Sequence, residues 1–138
     1  MTSVNLLDEK RLARVQLVSE LQYLLSAEIA GVRTAAYSLG ESEEDSLTNY
    51  FQNMHSKEAK SCKLLRVAIS TLGAEPTWEV GAFFAKATAI AERSDRWRLA
   101  ERGREVVRTR VEALISEYSQ SEIVPFLKEV RELHAAGD

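Results

Sequence analysis

A chain of 138 residues that is 45% hydrophobic and 28% charged has the size and balance of one domain, residues 1–138, with a single sizeable core. Its formal net charge of -3 offers no basic field for nucleic acid or an anionic membrane. No apolar run is long enough to span a bilayer, and Asp8, Glu9, Lys10 and Arg11 interrupt the region where a secretory segment would be uniformly apolar. The expected setting is therefore cytoplasmic, with no nucleic-acid and no membrane partner.

The apolar period is near 3.6 along the chain and alternating runs are almost absent, which predicts an all-α fold. The first helix is predicted from about Leu7 to Leu39, stopping at Gly40. Ser42 or Asp45 is expected to cap the second, with Glu43, Glu44 and Asp45 favourably placed against its N-terminal dipole, and Gly73 marks its end. A long crossover follows. Its Ala74-Glu75-Pro76-Thr77-Trp78 turn precedes a short helix over Gly81 to Lys86, and Trp78, Trp97, Phe83 and Phe84 read as core or crossover anchors. Ser94 or Asp95 starts a third long helix reaching about Tyr118. After a break at Ser119 to Ser121, a fourth begins near Pro125, a residue tolerated in a first turn, and frays at His134. Two helical hairpins joined by one long connection make a four-helix bundle.

Two glutamates break the apolar stripes. At about 100° per residue, Glu28 lies among Leu17, Leu21, Leu24, Val32, Ala35 and Leu39, and Glu58 among Leu47, Phe51, Met54, Cys62, Leu65, Ile69 and Leu72. Buried carboxylates persist when they are paired, protonated or bound to a metal. His134 falls about 40° from the face formed by Ile123, Phe126 and Val130; it reads either as a ligand or as a partly exposed terminal histidine. His55, three residues before Glu58, is about 60° round the same helix and forms a reversed His-x-x-Glu pair. The metal candidates are thus Glu28, Glu58, His134 and His55. Cys62, the lone cysteine, reads as a small buried hydrophobe, with a reactive thiol or soft ligand as the alternative.

The third long helix contributes no ligand. Its apolar face is Ala100, Gly103, Val107, Val111, Leu114 and Tyr118, with Glu101 and Glu105 opposite, and Gly103 is expected to admit a close backbone or a bulky side chain. The arginines from Arg93 to Arg110, interleaved with Asp95, Glu101 and Glu105, read as a solvated face rather than a nucleic-acid stripe. Arg104 or Arg110, at the edge of the apolar face, is positioned to neutralise the two glutamates.

Five stretches in this order and spacing resemble the ferritin-like superfamily, in particular a small group of uncharacterised bacterial ferritin-like proteins. They are Ala27-Glu28-Ile29-Ala30-Gly31-Val32-Arg33, Lys57-Glu58-Ala59-Lys60-Ser61-Cys62, Gly81-Ala82-Phe83-Phe84, Arg102 through Arg108, and Phe126-Leu127 through His134. The resemblance implies a ferritin-like four-helix bundle, descent from di-iron proteins with ferroxidase, peroxidase or oxygenase chemistry, iron or manganese as cofactor, and pairing into a homo-oligomer, a dimer. Glu28 and Glu58 carry over as ligand positions. Ser61, where a histidine completes the family's Glu-x-x-His pair, Gly103, and the lack of that pair on the last helix leave fewer ligands than two irons need. Two functions therefore stand: a reduced carboxylate and histidine site for one metal ion, or a non-catalytic scaffold or partner-binding bundle with a vestigial, metal-free site. No sequence motif assigns a catalytic residue.

Overall fold

A computed structural model describes residues 6–41 and 46–135. Among them there is no strand, and five helices follow one another: α1 (Leu6–Leu39), α2 (Ser46–Thr71), α3 (Phe83–Thr88), α4 (Arg93–Glu117) and α5 (Val124–Leu133). The capping role expected of Ser42 or Asp45, with Glu43 and Glu44 beside them, lies outside the described residues.

Helix ends follow local chemistry. Gly73 adopts φ 84°, its N–H donates to Ser70 O at 2.9 Å, and Ala74 N–H donates back to Ile69 O at 3.2 Å. That left-handed residue terminates α2 because it alone in the turn carries no Cβ penalty. The short helix begins two residues later than predicted, since Gly81 is held outside it by a 2.9 Å bond from its N–H to Ser26 O of α1. α4 begins at Arg93, preceded by an extended Glu92 with no side-chain cap bond, so neither Ser94 nor Asp95 starts it. Pro125 sits in the first turn of α5, as expected.

α1 packs along α2, α2 against α5, α5 against α4, and α4 back against α1, which closes a ring of four helices. The crossover is clamped onto α1 by Gln22, whose Nε2 donates to Glu75 O at 2.7 Å and whose Oε1 accepts from Thr77 N at 2.8 Å. Trp78 is no core anchor. It is 78% exposed, with the Arg66 guanidinium 3.6 Å over its ring while Arg66 also donates to Thr77 O, so the indole covers a surface cation.

The core divides into two apolar clusters. One gathers Leu17, Leu21, Leu24, Leu65, Val111 and Leu127; the other Ala35, Phe51, Met54 and Ala100, with Phe83 and Trp97 against it. Along α1 and α2, Glu28 and Glu58 fall at the divide between them. Past Glu28 the buried face is Gly31, Thr34, Ala35 and Ser38 rather than Val32 and Leu39. Thr34 and Ser38 tolerate burial because their hydroxyls donate to the carbonyls of Ala30 and Thr34 at 2.8 and 2.9 Å.

Candidate metal centre

Three helices deliver three side chains to one point. Glu28 and Glu58, near the middles of α1 and α2, are 1% and 3% exposed, and His134, which caps the C-terminus of α5, is 4% exposed rather than frayed. His134 Nε2 lies 3.1 Å from Glu28 Oε1 and 3.2 Å from Glu58 Oε2. One ligand atom from each residue falls within 4.8 Å of the other two. His55 is not brought into this group; it is half-buried beside Ala36, Leu39, Gly40 and Gln52.

The far side of the imidazole fixes its chemistry. Nδ1 is 2.8 Å from Val130 O, and a carbonyl only accepts, so Nδ1 carries a proton and donates it. Nε2 then either bears a second proton, shared between two carboxylates, or points a lone pair at a place where only a cation is tolerated. An imidazole held through a carbonyl in this way is the usual orientation of a metal-ligating histidine.

Charge is distributed unequally. Burial pushes Glu58 well above the usual carboxylate range, and the charge of Glu28 pushes it further. Glu28 meets the same burial penalty, but the Glu58 carboxyl and the charge of His134 outweigh it and bring its pKa below the ordinary value. Burial alone would lower His134; the two carboxylates overcome this and hold it at about 10. Free of metal, the cluster is an ionised Glu28, a proton-retaining Glu58 and an imidazolium.

Three contributors were not legible as site residues or only marginally so. Arg104, 8% exposed, donates through Nη2 to Leu133 O at 2.5 Å, which ties α4 to the last turn of α5 and so steadies His134. Its Nε stands 3.8 Å from Glu58 Oε1, close enough for charge attraction and too far for a hydrogen bond. Ser61, read as a missing ligand, is fully buried on the inward face of α2, and its Oγ, like Glu28 Oε2 and Arg104 Nε, has no hydrogen-bond partner. Cys62 is half-buried, its thiol pushed up to about 12 by burial and then by the two glutamates, which makes it a hydrophobe rather than a thiolate ligand.

Gly31 makes the room that Glu58 occupies. A Cβ there would stand 3.1 Å from Glu58 Cδ and 3.2 Å from Oε1. Gly31→Ala is therefore expected to displace the carboxylate and to lower stability in urea unfolding by up to about 2 kcal/mol, despite the helix-propensity gain of about 1 kcal/mol. A net gain near that propensity value would mean that Glu58 does not lie against α1.

The donor set fits a metal ion. Two ligand atoms each about 2.1 Å from an ion stand about 3.0 Å apart at right angles and about 3.4 Å apart in a tetrahedral array. The observed 3.1 and 3.2 Å fall between these. Glu28 Oε2, which makes no hydrogen bond of good geometry, adds a second anionic oxygen. Residues 15–137 match the family described as a domain of unknown function, DUF6306. No curated protein and no solved structure matches the chain significantly.

Proposed function

We infer that this protein, which belongs to the DUF6306 family, binds one divalent metal ion between α1, α2 and α5 through Glu28, Glu58 and His134. The carrying observation is the imidazole whose Nδ1 proton is committed to Val130 O, so that Nε2 faces two carboxylates that a cation would reconcile. Oxygen and nitrogen donors of this kind suit iron or manganese. Such an ion, when bound, supplies one-electron chemistry toward oxygen or peroxide. The chain's own part is to set the ligand charge with Glu28 and Glu58, to hold His134 through Val130 O and the Arg104 tie to Leu133 O, and to flank the carboxylates with Leu24 and Met54, both fully buried.

The ring of four helices with its crossover between α2 and α4 supports a ferritin-like bundle, and the ligand set then corresponds to a reduced form of that superfamily's carboxylate centre. We also propose a cytoplasmic protein that pairs along its long helices; Leu6, Leu7, Leu12 and Val15 of α1 are all about 60% exposed, which favours self-association. No described helix is long and apolar enough to cross a membrane.

A second reading is favoured by Arg104. An ionised Glu28 against the imidazolium, with a proton-retaining Glu58 beside the Arg104 guanidinium, needs no metal to persist, as a structural relic in a scaffold or partner-binding bundle would require. Elemental analysis of protein purified without chelator separates the two. The metal reading expects about one equivalent in the wild type and little in Glu28→Ala or Glu58→Ala. Near-zero content in all three samples would remove it in favour of the relic.

A further inference from the structure

We propose that the seam between α1 and α4 is a binding site for a small, mostly apolar molecule bearing one hydroxyl group. It rests on the same buried cluster as the metal reading but not on occupancy by a metal.

The seam is built to stay open. On α1, Leu24, Ala27, Glu28 and Gly31 follow the i, i+3, i+4, i+7 spacing of one helix face; on α4, Ala100, Gly103, Arg104 and Val107 repeat it. All eight line one cavity of about 180 Å³. Four of them are glycine or alanine, so neither helix carries enough side chain to fill the space between them. Phe83 of α3 reaches in to contact Gly103, where a Cβ would stand 3.3 Å from its ring, and space still remains. An apolar cavity of about 150 Å³ is large enough to admit benzene.

Two polar atoms identify the functional group. Glu28 Oε2, an acceptor, and Arg104 Nε, a donor, belong to buried residues that line this cavity, and neither has a hydrogen-bond partner. Unmet buried groups of this kind are costly. A hydroxyl both donates and accepts, so one small neutral group satisfies either atom. A ligand ammonium would meet Arg104 and Arg110, and a ligand carboxylate would meet Glu28 and Glu58, all of which line the same cavity. Access is from the surface between Tyr23 and Val106, 52% and 55% exposed, where the Arg110 guanidinium lies 4.7 Å over the Tyr23 ring and pairs with Glu20.

Chelator-treated protein titrated with phenol, and separately with toluene, tests this by amide NMR. Saturable shifts at Gly31, Gly103 and Val107 are expected with phenol, at an affinity at least about tenfold tighter than with toluene. Gly103→Ile and Val106→Trp are expected to abolish them. Val106 is half exposed, so its replacement keeps the test sound if Gly103→Ile fails to fold. Equal binding of phenol and toluene, the absence of saturable shifts, or shifts that persist in Val106→Trp would each overturn the proposal. Phenol binding in protein that never takes up metal leaves this inference standing and removes the metal reading; metal uptake without phenol binding does the reverse.

Discussion

Arg96→Met is expected to lower the unfolding free energy by about 3–5 kcal/mol. Arg96 is 1% exposed, and its guanidinium is saturated. Nε donates to Ala87 O at 3.2 Å, Nη1 to Ser38 Oγ at 3.1 Å and Glu41 Oε1 at 2.6 Å, and Nη2 to Ile90 O at 2.6 Å. These partners lie at the end of α1 and in and after α3, so one side chain fastens the start of α4 to both. Methionine keeps the length of the stem but strands Ile90 O, leaves Ala87 O with only the Ile90 N–H and takes from Glu41 the nearer of its two arginines. Arg96→Lys restores the charge without the planar fork and is expected to recover only part of the loss. None of the Arg96 partners belongs to the Glu28, Glu58 and His134 cluster, so metal bound per folded molecule should not change. Urea unfolding measures the first effect and elemental analysis the second. A loss below about 1 kcal/mol for the methionine variant would mean that the network is replaced by water as readily as a surface pair.

Arg96 also marks where sequence reasoning went astray. The interleaved charges between Arg93 and Arg110 read as a solvated face, yet Arg93 and Arg96 are buried and, with Arg104, which reads as the edge of the apolar face, fall on one stripe with Ala100, Val107 and Val111. Spacing alone contained that stripe; the charge on the side chains concealed it, because a buried arginine depends on carbonyls and carboxylates from other elements that no local pattern reveals. Glu28 and Glu58 were legible for the opposite reason. Each interrupts an apolar period of its own helix, and the period depends on near neighbours only. His134 lies one residue beyond α5, where its offset from the apolar face makes it a candidate but leaves a frayed end open, because its burial depends on groups from other helices, Glu28 and Glu58 among them. Gly103 could be read as room for a bulky group, but only the fold identifies that group as Phe83.

The fall in stability between pH 7 and 9 should vanish with metal. In chelator-treated protein His134 is held at about 10, up from 6.5. Its contribution is therefore fully present below about 6.5 and is lost as pH rises through about 10. Between pH 7 and 9 the native state binds close to one proton more than the unfolded chain, and the unfolding free energy should fall by about 2–3 kcal/mol. Glu58, with its pKa raised, acts in the same direction from 4.5 upward, whereas Glu28, with its pKa lowered, weakens the fold only as pH drops below 4.5. Cys62, at about 12, does not titrate in this window. A metal ion flattens the slope, because it takes the imidazole neutral and both carboxylates ionised, the protonation that the unfolded chain also has over most of this window, while its affinity for the native cluster rises as protons leave. Urea unfolding at pH 7, 8 and 9 should give a falling curve with chelator and a nearly level one with added manganese, so that the two diverge toward high pH, and His134→Gln should abolish the decline in the chelated protein. Parallel declines with and without the ion would show that protons alone occupy the cluster; no decline in the chelated protein would show that His134 is neutral there.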